Sequence, residues 1–118
     1  MMIPISVEAF REEIHRLARR NFPDSEWEVH EQNPFRLKAR VLLSPGLFIE
    51  VFYSPRTRRN SFALLKGTKR IFGIDNLNGW PRHPFGEVER HQPIREPSLQ
   101  EIFMEIKDVV VSRELLQK

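Results

Sequence analysis

The chain has no cysteine. That absence excludes disulfides and any thiol chemistry, and it fits a reducing compartment. Long apolar runs are also missing. The opening stretch MMIPISVEAFREEIHRLARR holds no apolar segment of the length a signal peptide or a membrane span needs. The expectation is a soluble cytoplasmic protein with no membrane partner. There is no glycine-rich dinucleotide fingerprint, no P-loop, no HExxH and no serine or cysteine nucleophile pattern. No cofactor is therefore expected, and the usual nucleotide-dependent and hydrolytic signatures are set aside. Repeats and low-complexity segments are absent as well.

What is present is a chain of 118 residues, 40% apolar and 30% charged. That is one domain, residues 1–118, large enough to bury roughly two-thirds of its unfolded surface. The formal charge of +3 hides an asymmetry. Between Ser54 and Arg95 stand nine bases and three acids, a local net of +6, which leaves −3 for the remainder. A basic half suggests a surface that meets a polyanion, with a nucleic-acid backbone as first candidate. The competing account is solvated charge along strand edges.

Periodicity gives the architecture. Ser6 is a good N-cap, and Val7, Phe10, Ile14, Leu17 and Ala18 recur at helical spacing over residues 7–20. His15 on that helix reads as a surface residue. Trp27, Val29 and Glu31 alternate with Glu28 and His30 as a short strand. Residues 35–44 and 47–54 predict a hairpin, the second strand central because Phe48 and Phe52 make it apolar on both faces. PRTRRN, residues 55–60, reads as a basic loop. Strands over 61–66 and 69–75 follow around the Gly67-Thr68 turn. Pro81, Pro84, Pro93 and Pro97 then argue against regular structure over a long loop. Ser98 and Glu101 form a capping box, opening a helix whose stripe is Leu99, Ile102, Phe103, Ile106, Val109 and Val110. The fold class expected is α+β: a single domain with an antiparallel sheet of four to five strands, an N-terminal and a C-terminal helix, and a long loop before the last helix.

The chemistry gathers in GIDNLNGWPRHPFGEVERH, residues 73–91. Two of the four histidines, His83 and His91, lie here with Asp75, Arg82 and Arg90. Histidine exchanges protons near neutral pH. Cleaving RNA without a metal needs a base for the 2′-hydroxyl, an acid for the leaving oxygen and cations for the charge gathering on phosphate. The stretch supplies all three types, with His83, His91, Arg82 and Asp75 as candidate catalytic residues. Arg56, Arg58, Arg59, Arg70, Trp80 and Arg90 are candidates for nucleic-acid binding, Trp80 by stacking on a base. Each has a plainer reading: histidines that only brace the loop, Asp75-Asn76 as turn chemistry, Trp80 as a buried anchor. A metal reading takes Asp75, His83 and His91 as ligands, although their spacing matches no tight signature.

A strand ending in Asp75-Asn76, then Gly79, the Arg82-His83 pair, His91 and a helix begun by Ser98-Leu99 resembles the TumE-type toxins. These are small proteins of bacterial and archaeal toxin–antitoxin modules. The similar stretch runs from about Arg36 to Ile106, and the helix at residues 7–20 lies outside it. Many members carry a histidine just before the Arg-His pair, where this chain has Pro81; the weight moves to His83 with His91. The resemblance implies an RNA-cleaving toxin held in check by a cognate antitoxin protein. The alternatives that stay open are a non-enzymatic module binding nucleic acid or protein, and a metal-dependent nuclease.

Overall fold

The computed structural model describes residues 5–75, the strand backbone at 81–83 and 92–93, and residues 97–115. Helix α1 (Val7–Asn21) is followed by strands β1 (Glu26–Asn33), β2 (Arg36–Ser44), β3 (Leu47–Ser54), β4 (Arg59–Lys66) and β5 (Lys69–Asp75). Two short strands, β6 (Pro81–His83) and β7 (Gln92–Pro93), precede helix α2 (Leu99–Ser112). All strands pair antiparallel in chain order, and β3 sits between β2 and β4 as its two apolar faces require. The α+β class, the hairpin and the strands at 61–66 and 69–75 are as the alternation predicts.

One face of the sheet is the core. Leu37, Ala39 and Val41 of β2, Ile49, Val51 and Tyr53 of β3, Phe62 and Leu64 of β4, and Phe72 and Ile74 of β5 are buried there. Both helices cover that same face: Phe10, Ile14 and Leu17 of α1 and Ile102, Phe103, Ile106 and Val110 of α2 join one cluster with it. Leu99 and Val109, part of the expected stripe, are only partly buried at its margin. Phe103 meets Phe62 edge-on, with centroids 6.2 Å apart.

The helix starts follow their caps. Ser6 Oγ accepts from the Ala9 amide at 3.0 Å. At α2, Ser98 Oγ accepts from the Glu101 amide at 3.1 Å while Ser98 N–H donates to Glu101 Oε1 at 2.9 Å. Tyr53 anchors the segment before α1. Its ring stacks on Phe10 at 3.9 Å, and its hydroxyl accepts from Ile5 N–H (3.0 Å) and donates to Ile5 C=O (2.7 Å). Tyr53→Phe keeps the stack and removes both hydrogen bonds. It should cost about 1–2 kcal/mol in urea denaturation; an unchanged midpoint would show that the anchor adds nothing.

Three local expectations need correction. Arg59 and Asn60 belong to β4, because Tyr53 pairs with Asn60 and Ser54 with Arg59; the basic turn is confined to residues 55–58. In β1 the simple alternation fails. A bulge between Val29 and Glu31 inserts His30, so Glu31 falls opposite Lys38 and not on the core side. Prolines do not exclude strand at 81–83 and 92–93. Pro81 opens β6 and pairs with Pro93 of β7. First positions and sheet edges tolerate a residue without an amide proton.

Candidate nucleic-acid interface

The second face of the sheet carries no helix among the described residues, and register sorts it into cross-strand rows. One row runs Glu31, Lys38, Phe52, Ser61, Asp75. The next runs Glu28, Arg40, Glu50, Ala63, Gly73 and ends, by backbone pairing, at His83. A third runs Glu26, Leu42, Phe48, Leu65, Arg70. Cross-strand neighbours lie within side-chain reach of one another.

Aromatic rings and cations alternate on this face. The Arg40 guanidinium lies over the Phe48 ring, 4.3 Å from its centroid, and that of Arg59 over Phe52 at 5.4 Å. Arg40 also donates to Glu50 at 2.8 Å, and Arg36 pairs with Glu31 at 2.9 Å. Arg70 approaches Asp75 at 3.9 Å. Each of these ion pairs lies within one half of the chain: Arg36–Glu31 and Arg40–Glu50 in the acidic remainder, Arg70–Asp75 in the basic stretch. The Arg40–Glu50 and Arg36–Glu31 pairs are part-exposed, and such pairs contribute little to stability.

Excess positive charge sits at one end of the sheet. The β1–β2 turn, the β3–β4 turn and the exit of β5 share that end, so Arg56, Arg58 and Arg59 lie toward Asp75. The turn is tied by Thr57 N–H donating to Ser54 Oγ at 3.4 Å, and Arg58 adopts φ +58°. A left-handed backbone suits glycine or asparagine better than arginine. An arginine held there in spite of that preference is a reason to look for a use of its side chain.

Beside this end runs the short strand β6. Arg82 pairs with Ile74 and His83 with Gly73 through the backbone. The Arg70 guanidinium lies across Gly73, in the space a Cβ there would occupy. Arg70 Nε is buried and has no hydrogen-bond partner among the described residues. The fold therefore brings Arg59, Arg70 and Asp75 together with the backbone of Arg82 and His83. Trp80, Arg90 and His91, together with Asn76 and Gly79, lie outside the described residues. Among the described residues no three His, Asp or Glu side chains cluster as a metal site; the Asp75–His83–His91 set reaches beyond them. No helix among the described residues is long and apolar enough to cross a membrane.

Comparison with family models, with curated proteins and with solved structures finds no match.

His15 is exposed on α1, with its ring 5.8 Å from that of Trp27, as a surface residue should be. Four residues of the open face were not among the candidates: Lys38, Arg40, Phe48 and Phe52. The signal was there. Two phenylalanines four positions apart on the outward side of a strand, facing a strand that reads Arg-x-Lys-x-Arg, form an aromatic and cationic surface. Read as apolar periodicity, they only mark β3 as central.

Proposed function

We propose that this protein binds single-stranded RNA and cleaves it without a metal ion, as the toxin of a toxin–antitoxin pair whose partner is a cognate antitoxin protein. The observation that carries the reading is the convergence at one corner of the sheet. The arginine-rich β3–β4 turn, Arg70 and Asp75 at β5, and the Arg82-His83 backbone of β6 are neighbours through strand pairing. In this reading a base takes the proton of a ribose 2′-hydroxyl, and the freed oxygen attacks the adjacent phosphorus. The 5′-oxygen departs with a proton from an acid, leaving a cyclic phosphate. His83 is the leading candidate for one proton transfer and His91 for the other, with Asp75 in the role of orienting an imidazole. Arg59, Arg70, Arg82 and Arg90 would meet the charge that gathers on phosphate.

Arg56, Arg58 and Arg59 would hold the backbone of the strand. Each phosphate neutralised on a single strand steepens the salt dependence of log affinity by about 0.7. Reversing all three to glutamate should flatten the slope by about 2, measured as RNA affinity against salt concentration. An unchanged slope would reduce the turn to ordinary surface charge.

The reading is tested by inducible expression of the wild type beside His83→Ala. Growth arrest with RNA breakdown in the wild type, and normal growth with intact RNA in the variant, supports it. Equal growth and intact RNA in both strains contradicts it.

A further inference from the structure

A depression of about 250 Å³ opens on the helix-free face. Phe52, Lys38, Ser61, Ala63, His30 and the Arg40–Glu50 pair border it. We infer that this groove is a second contact site for the same strand, holding one nucleotide of single-stranded RNA with its base on Phe52 and its phosphate at Lys38. The inference rests on the RNA-binding reading above and gives it a place on the sheet.

Three features lead there. First, the charges of the groove are unequal in availability. Arg40 is engaged by Glu50 at 2.8 Å, and His30 by Glu28 at 3.0 Å. Lys38, exposed and directly opposite Phe52, has no carboxylate partner among the described residues. Arg59 has none among them either, and its guanidinium lies over the Phe52 ring, 5.4 Å from the centroid. An aromatic ring flanked by two cations, with the nearby Glu31 and Glu50 already paired to Arg36 and Arg40, is complementary to a base attached to a phosphate.

Second, the floor is low where a base would need room. Ala63 stands in the row between Phe52 and Phe48, so only a methyl rises from that part of β4; the Arg70 guanidinium lies farther across, over Gly73 of β5. Ser61 beside Phe52 adds a hydroxyl that can donate or accept at a base edge. Third, the size is wrong for an enclosed small-molecule site, which runs to roughly 300–1,000 Å³. An open depression of this kind suits one unit of a polymer whose neighbours continue along the surface. Row geometry supplies the continuation: Lys38, Phe52, Ser61 and Asp75 follow one another across the sheet toward the β5–β6 corner.

The test uses the full chain and a fluorescent single-stranded 2′-O-methyl RNA oligonucleotide, which lacks the attacking hydroxyl and so reports binding alone. By anisotropy at low salt, Phe52→Ala should bind about 5- to 150-fold more weakly, the usual loss for a stacking ring. Phe52→Tyr should bind as the wild type does. Lys38→Gln should lower affinity and reduce the salt slope by about 0.7. Lys107→Gln, the same charge removal on exposed α2, should change neither. Urea midpoints of each variant separate lost contact from lost fold, and the exposed Lys38 position answers if Phe52→Ala unfolds. This pattern supports the groove even if natural RNA is left uncut, in which case only the cleavage reading fails. Wild-type affinity in both Phe52→Ala and Lys38→Gln overturns the groove, as does a wild type that binds no single strand at low salt.

Discussion

His83→Ala should lower RNA cleavage by ~10²–10⁴-fold, the range a positioned acid or base supplies. The expectation follows from where its backbone lies. His83 pairs with Gly73, and antiparallel partners have Cα atoms about 4.5–5.5 Å apart. Arg70 covers Gly73 and reaches to 3.9 Å from Asp75. The backbone of His83 therefore lies beside a strand that carries a cation and a carboxylate. In the proposed reaction such a pair would stabilise a phosphate as its charge grows and orient an imidazole. His91→Ala should cost a similar factor, and the double variant little more, because residues that act as a unit are not additive. Measured as initial rates on a labelled RNA, a loss below tenfold in His83→Ala would remove that residue from the chemistry.

Phe103→Ala should destabilise the protein by ~3–5 kcal/mol. Phe103 is fully buried on α2 and meets Phe62 of β4 edge-on. Phe62 in turn lies 6.3 Å from Phe10 of α1. One ring thus joins the C-terminal helix to the sheet and, through Phe62, to the N-terminal helix. Truncating it removes the transfer energy of the ring and leaves a cavity that three separate elements would have to close. The effect should reach the candidate site, since α2 also packs on β5, the strand that carries Asp75 and pairs with β6. Chemical denaturation gives the number; a loss under about 1 kcal/mol would mean that α2 is no part of the core.

The parts of this fold that were legible in the sequence are those where one local rule decides. Ser6 and the Ser98–Glu101 pair cap their helices as their residue types dictate. Leu37, Ala39 and Val41 alternate because one face of β2 is dry. The failures have equally local causes. The bulge at His30 shifts register by a residue, which nothing in the composition of β1 announces. Arg59 and Asn60 pair with Ser54 and Tyr53 although they belong to a stretch of turn-like composition, because Asn60 is taken into the buried row. Pro81 and Pro93 lie in strands because Pro81 takes the first position of β6 and Pro93 sits on the edge strand β7. For the candidate site, residue chemistry was visible and juxtaposition was not. The sequence separates Arg59, Arg70, Asp75 and His83, and only antiparallel register makes them neighbours. The Phe52 groove was hidden for another reason: its members come from four strands, and each alone looks like ordinary strand composition.

The most direct measurement incubates the purified chain with a labelled single-stranded RNA in excess EDTA and identifies the product ends. The account predicts cleavage that persists without divalent ions and leaves 2′,3′-cyclic phosphate, because the attacking group is the RNA's own hydroxyl. Cleavage abolished by EDTA and restored by a divalent ion would contradict it and turn Asp75, His83 and His91 into candidate metal ligands.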